Sequence, residues 1–340
     1  MDQLSAHLDR GWDLAQKGDA PGAHACARRA LELDPQSPEV HNLLGYSSVL
    51  AGESEEALEH YRQAIALDET YLEAMLNAAE VLMDPLGEWD EAIGLCDDAL
   101  DLAESKEEVL DCVLLRVDAL LGKGEVAEAK KSMNRLPDPP FENDAYMFAI
   151  GRAYYELGER EKAAPFIEEA TRLDPMHADA FYYLGLLRDD AGDVSGSIEA
   201  FLRARALDMA RPSPPWAPSP EAFSQVVRRV IQSMDALLAR WVRDADVYIV
   251  DVPGAELVVD GVDPRAPMIL DARDHGPEGT AREGGPTAHV RLFVYQRNVE
   301  RAAGALGGLE GELAASLERE IMAVFLERDG APAVAKHELN

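Results

Sequence analysis

The stretch SLEREIMAVFLERD, residues 316–329, sets one carboxylate where a metal-dependent hydrolase would carry its general base. In the helical pattern H-E-x-x-H, two imidazoles four residues apart share a face and hold one zinc ion, and the Glu between them serves the zinc-bound water. Glu320 stands in the Glu position, but Arg319 and Ala323 occupy the two His positions. A guanidinium stays protonated and offers no lone pair, and a methyl group has no donor atom. Without the metal, Glu320 has no activated water to serve. The expectation is therefore a helix with no catalytic residue, no metal ligand and no cofactor. Glu320 is expected to pair with Arg319 or a nearby arginine, while Leu313, Leu317, Ile321 and Val324 enter the core.

Other reactive side chains do not assemble into a motif. His275, His289 and His337 lack ligand spacing, although Asp271, Asp274 and His275 together keep open a hydrolase with ligands outside the known patterns. No G-x-x-x-x-G-K-S/T, G-x-G-x-x-G or G-x-S-x-G stretch occurs, and GALGG (304–308) is a helix break. Cys26, Cys96 and Cys112 form no C-x-x-C pair and are expected to be packing residues in a reducing compartment. The formal charge is −32, of which residues 211–340, with 14 basic and 20 acidic side chains, contribute −6. An N-terminal part at −26 disfavours nucleic acid and anionic membranes as partners and is compatible with a basic protein. No basic-then-apolar leader and no run of about 20 apolar residues is present, so a cytoplasmic location is expected. Arg outnumbers Lys 25 to 7, the usage of a GC-rich bacterial genome.

The elements that would carry these residues show first as internal repetition. GDAPGAHACARRALELDP (18–35), GESEEALEHYRQAIALDE (52–69) and GEREKAAPFIEEATRLDP (158–175) share a leading Gly, Ala five and twelve residues later, and a closing Leu-Asp. A first helix is also present in VHNLLGYSSVL (40–50), MFAIGRAYYEL (147–157) and FYYLGLLRDDA (181–191), whose apolar-Gly pair, at Leu44-Gly45, Ile150-Gly151 and Leu184-Gly185, recurs about seven residues ahead of the next Gly. Two weaker units fall at about 72–105 and 110–137. The pattern resembles the tetratricopeptide repeat, six units within residues 1–209, and so implies an all-α superhelix that binds proteins or peptides rather than doing chemistry. On that resemblance, the first helices line a groove. The candidates are Asn42 and Tyr46 in the second repeat, Asn77 in the third, Phe148, Arg152 and Tyr155 in the fifth, and Tyr182, Tyr183 and Leu186 in the sixth. For the tyrosines of the last two repeats, packing between repeats or on the next domain remains an equal alternative. Co-chaperone capture of a C-terminal carboxylate is disfavoured, because LEAMLNAAEVLM in the third repeat has no basic residue. Small residues such as Gly45 and Ala57 are expected to let paired helices approach, and Tyr61 and Phe201 to fill the gap to the next repeat.

At ARPSPPWAPSPEAF (210–223) the composition changes, marking a Pro-rich linker at 210–218 on which Trp216 is expected to dock against a domain. Residues 219–330 read as a small α+β domain: a helix from Phe223, strands at DVYIVDV (246–252), PMILDAR (267–273) and HVRLFVYQ (289–296), the helix NVERAAGALG, and a last helix from about Leu309 to Arg328. This order, with VYIVDVP and LFVYQRNVERAA (292–303), resembles the small bacterial zincin-like metallopeptidases, in which the last helix carries H-E-I-x-H-x-F. Arg319, Glu320, Ile321, Ala323 and Phe325 stand in that frame, so the resemblance implies a pseudoenzyme domain. Residues 331–340 form a tail. The resulting expectation is a cytoplasmic adaptor that holds a protein partner without catalysis; oligomeric state is not legible.

Overall fold

The computed structural model describes residues 3–271 and 290–326. The chain divides into two compact units, Met1–Leu173 and Asp174–Asn340. The first is built from five helix pairs: α1 (Gln3–Gln16) with α2 (Ala20–Leu33), α3 (Pro38–Ala51) with α4 (Ser54–Leu67), α5 (Leu72–Met83) with α6 (Trp89–Leu102), α7 (Lys106–Lys123) with α8 (Val126–Ser132), and α9 (Ala145–Glu156) with α10 (Arg160–Leu173). The local chemistry explains where these helices begin and end. Asp19 and Ser37 accept the amides of Gly22 and Val40 at the starts of α2 and α3, and Ser105 with Glu108 forms a capping box on α7. Gly52 (φ 78°) and Gly124 (φ 84°) close α3 and α7 in the left-handed conformation that a side chain resists.

Close approach of helices depends on glycine against a ring, within a pair and between neighbouring pairs. A Cβ added to Gly45 on α3 would lie 2.6 Å from the ring of Tyr61 on its partner α4, and one added to Gly122 on α7 would lie 2.4 Å from Trp89 on α6 of the preceding pair. Tyr61 is 1% exposed. It fills the space over the glycine of its own repeat, as well as reaching the core it shares with Ala78 and Ala79. The expected role of bridging to the next repeat is thus only half of what this ring does. All three cysteines are buried in this unit, and burial pushes the thiols of Cys96 and Cys112 up to about 12 and about 11. Neither is a nucleophile at neutral pH.

The second unit starts one helix pair earlier than the change in composition. Its first elements are α11 (Ala178–Asp190) and α12 (Val194–Ala210), the sixth repeat, in which a Cβ on Gly185 would meet Phe201 at 2.4 Å. There follow the proline-rich segment, with Trp216 half-buried, then α13 (Pro220–Ser233), α14 (Ala236–Ala239), β1 (Asp246–Val250), α15 (Ala255–Val259), β2 (Met268–Asp271), β3 (Arg291–Tyr295), α16 (Gln296–Ala303) and α17 (Leu309–Ile321), which ends in a π-helical turn at Met322–Leu326. The sheet order is β1-β3-β2, with β1 parallel and β2 antiparallel to β3. Leu292 and Val294 on β3 and Met268 and Leu270 on β2 face Phe223 and Val227 of α13 and Leu313, Leu317 and Ile321 of α17 in one core. Val324 packs against that core while only partly buried, and Leu237, expected on the apolar face of the first helix, is 69% exposed. α15 has no counterpart in the sequence expectation; five residues are too few to show a period. His275, Asp274, His289, the Gly-rich loop, the end of the last helix and the tail with His337 lie outside the described residues.

The glycine contacts give a paired expectation. Gly45→Ala drives a methyl into the Tyr61 ring and lowers stability by about 1–2 kcal/mol, whereas Gly94→Ala, in the interior of α6 with nothing within 4 Å of its Cβ, raises it by about 0.5–1 kcal/mol. Urea unfolding of the two variants should move the midpoint in opposite directions.

Candidate functional site

Two places bring polar and aromatic side chains together. The first is a recess of about 380 Å³ in the first unit, walled by Tyr46 and Val49 of α3, Tyr61 of α4, Asn77, Glu80, Val81 and Met83 of α5, Asp84, and Leu115 and Asp118 of α7. Three first helices supply most of its wall, because repeats stacked in register set the same helix face side by side. Trp12 of α1 lies against Tyr46 with ring centroids 5.3 Å apart. Asn42 is fully buried beneath the surface: its Nδ2 donates to the Tyr71 hydroxyl at 3.1 Å, and its Oδ1 accepts from Asn77 Nδ2 at 3.0 Å. It props up the wall and is not open to a ligand. Burial first, and then Glu73, push the Tyr71 hydroxyl up to about 12, so it stays a neutral partner for Asn42.

The recess is acidic. Glu80 is solvent-reached on one side yet surrounded by protein, and its carboxyl is raised above the ordinary range by burial and by the charges of Asp111 and Asp118. Asp111, also raised by burial and by Glu107 and Glu108, accepts the Tyr146 hydroxyl at 2.8 Å. Arg152 of α9 reaches Asp118 at 2.7 Å and Glu156 at 3.8 Å. Tyr155 lies under the Arg160 guanidinium, 5.2 Å from its ring centre, and Phe148 is half-buried on α9. The expected groove positions in this unit therefore divide: Tyr46 and Asn77 wall the recess, Arg152 borders it through Asp118, and Asn42 lies below.

The second place is in the other unit, and the sequence expectation missed it. Tyr182 of α11 donates its hydroxyl to Asp263 Oδ2 at 2.9 Å, and the Arg265 guanidinium stacks over the same ring at 4.4 Å. Arg265 Nε reaches Asp208 of α12 at 3.0 Å and its Nη2 reaches Asp179 of α11 at 2.7 Å. Arg301 pairs with both aspartates and Arg211 lies 3.6 Å from Asp179. The turn itself is braced: Arg265 N donates to Asp263 Oδ1 at 2.8 Å, and Asn298 Nδ2 donates to the carbonyls of Pro264 and Ala266 at 2.9 and 2.8 Å. Arg297 caps the end of α12 by donating to the Met209 and Arg211 carbonyls at 3.1 and 2.8 Å, where a cation also meets the negative end of the helix dipole. Tyr183 packs edge-on to Tyr182 and Leu186 is buried. Of the expected groove residues of the sixth repeat, Tyr182 is thus engaged with Asp263 and Arg265 of its own unit. The signal was present in VDGVDPRAP, an Asp-Pro-Arg turn, but nothing local says what its arginine will meet.

Arg319 and Glu320 each reach a different part of the unit. Arg319 Nη2 reaches Ser316 Oγ at 2.8 Å and Glu312 at 3.2 Å, while Glu320 Oε2 accepts the backbone amide of Leu270 on β2 at 3.4 Å. Ala323 lies in the π-helical turn, whose spacing no longer sets residues four apart on one face, and Phe325 stacks on Trp241 at 4.4 Å. A guanidinium engaged with Glu312 and a methyl group cannot take the place of two imidazoles, so these residues do not fit zinc. Among the described residues, no group of three or more His, Cys, Asp or Glu is placed to hold a metal ion. No described helix is long and apolar enough to cross a membrane.

The geometry of the helix pairs defines a helical-repeat protein. Residues 8–71, 51–107 and 148–212 match the sequence model of the tetratricopeptide repeat family, so the helix pairs in those residues carry tetratricopeptide repeats. Over 85 residues, a quarter of this chain, the sequence is 38% identical to the CTR9 homolog of Arabidopsis thaliana. Over 91 residues it is 34% identical to the Hsc co-chaperone sgt12 of Aspergillus fumigatus. The chain spans only 7% and 27% of the lengths of these relatives. Among solved structures, PilF of Pseudomonas aeruginosa (19% identity) and the type IV pilus biogenesis factor PilW (16% identity) each align with a TM-score of 0.52. They cover 62% and 60% of this chain and 93% and 92% of their own, and show the repeat fold.

The Arg265 contacts set a stability expectation. Burial alone would raise the Asp179 carboxyl, but Arg265, Arg301 and Arg211 outweigh it and hold it below its ordinary 3.8. A carboxylate with a lowered folded pKa stabilises the fold fully above its unfolded value, and that contribution fades as pH falls through the folded one. Arg265→Ala, which strips buried Asp208 and Asp179 of one partner, should cost about 3 kcal/mol at pH 7. Urea titrations should show the difference between variant and parent narrowing only below about pH 4.

Proposed function

We propose that the protein is a non-catalytic adaptor whose first unit holds a protein or peptide partner in the recess between Tyr46, Asn77 and Asp118. The observation that carries this reading is the recess itself: aromatic and aliphatic walls, a few polar groups and room for a side chain or two, with two of its helices, α3 and α7, capped at both ends. The second unit, on this reading, carries a metal-free descendant of a zincin-like domain, kept for its packing with the sixth repeat. In support, Arg319 is turned to Glu312 and Glu320 to the β2 backbone, and the phrase resembling the peptidase family is spent on contacts. The likeness to the sgt12 co-chaperone does not extend to capture of a terminal carboxylate here, because Glu80 and Asp118 would repel one.

Affinity capture with the full chain tests the reading. Tyr46→Ala combined with Asn77→Ala should reduce recovery of the captured proteins by about tenfold or more, as expected when an aromatic anchor is lost. Glu320→Gln should leave the capture unchanged. Capture indifferent to the recess variants would refute the adaptor reading, and peptide turnover abolished by Glu320→Gln would restore a hydrolase.

A further inference from the structure

The sixth repeat shows how a repeat of this chain handles a basic side chain. Asp179 stands thirteen residues ahead of Gly192, the left-handed glycine that follows α11. There it takes the Arg265 guanidinium at 2.7 Å, while the ring of Tyr182, three residues on, lies beneath the same group at 4.4 Å. The same register can be counted in the first unit. Glu39 stands thirteen residues ahead of Gly52, and Asp111 thirteen ahead of Gly124. Glu73 stands fourteen ahead of Gly87, the third repeat carrying one extra residue near Asp84-Pro85. Three successive repeats thus have a carboxylate at the position that clasps arginine in the sixth.

The first unit adds two further ingredients. Glu80 and Asp118 line the recess, and Glu73 and Asp111 stand seven residues, or two turns, before them on the same two helices, α5 and α7. Arg152 answers Asp118 at 2.7 Å, yet Glu80 and Asp111 are still held in a more acidic setting than they would meet in water. Tyr46 and Trp12, tilted against each other with ring centroids 5.3 Å apart, give an aromatic surface on which a guanidinium can lie. The cation at the border of this concave, aromatic-walled surface, Arg152, answers Asp118, whereas Arg265 in the sixth repeat also lies on the ring of Tyr182.

We infer that the recess over the second to fourth repeats takes an arginine-bearing segment of a partner protein, in the manner in which Asp179 and Tyr182 hold Arg265. The inference rests on the adaptor reading and names the chemistry of its partner. Guanidinium groups would lie on the Tyr46 face and pair with Glu80 and with the carboxylates of Glu73 and Asp111. An acidic segment is repelled, and a neutral one leaves those carboxylates desolvated without compensation.

Fluorescence anisotropy of the full chain with three labelled, end-blocked peptides tests it. The peptides, about twelve residues each, share their apolar positions and carry arginine, glutamine or glutamate at four others. The arginine peptide should bind about tenfold or more tightly than the other two, and more weakly as salt is added. Combined Glu73→Gln, Glu80→Gln and Asp111→Asn should remove that preference. These changes relieve crowded carboxylates, so the fold is retained, and circular dichroism checks that it is. As a control for the overall charge of −32, Glu55→Gln, Glu59→Gln and Glu69→Gln, all exposed on or just after α4, should leave binding unchanged. Equal loss in the control would reduce the effect to a diffuse field and overturn the inference. Binding of the glutamine or glutamate peptide as tight as that of arginine, but lost in Tyr46→Ala, would overturn the arginine preference and leave the adaptor reading standing. If no peptide binds in a Tyr46-dependent way, both fall.

Discussion

The second unit depends on how one guanidinium is shared. Arg265 is almost enclosed, and an enclosed charge is tolerated only when its donors are all met. Asp208, Asp179 and the ring of Tyr182 meet them, and each comes from the sixth helix pair. A sheet with helices could bury its apolar side without that pair, through Phe223, Leu292 and Leu317. It could not seat Arg265 or Arg301. The sixth repeat is therefore bound to the α+β elements by electrostatics, where the boundary drawn from prolines expects it to end a separate array.

The repeats were legible because their signal is redundant. Gly, Ala and a closing Leu-Asp recur at fixed spacing, and each corresponds to a contact such as Gly45 on Tyr61 or Gly185 on Phe201. The strands were legible as short apolar or alternating runs, with ends that moved by at most two residues. Three features were not. Asn42 looks like a surface residue at a surface position until Tyr71 and Asn77 are seen to close over it. The Asp-Pro-Arg turn is an ordinary surface turn until it meets aspartates more than fifty residues away. Long-range charge pairing leaves no period in a sequence, and α15 is too short to have one.

The phrase LFVYQRNVERAA, which in the sequence resembles a peptidase family, has a structural use in this chain. Within it, Gln296 donates to the Pro218 carbonyl and to Glu300, Arg297 caps α12, Asn298 clamps the Pro264–Ala266 turn and Arg301 meets the aspartates. These four polar members are committed to holding the unit together. Glu320 has a comparable place, with its carboxylate turned to the β2 amide of Leu270. What resembles catalytic ancestry in the sequence is, in this chain, a set of brackets.

The glycines that press against a ring have a consequence for how such a chain can change over time. A glycine facing Tyr61, Trp89 or Phe201 cannot acquire a side chain unless the ring shrinks in the same step. The two positions must therefore drift together, within a repeat for Tyr61 and Phe201 and between neighbouring repeats for Trp89, while residues on the recess face, such as Glu80 and Val49, face no such lock. Divergence is channelled: the spacing between helices stays fixed, and the chemistry of the surface they present is left open to selection.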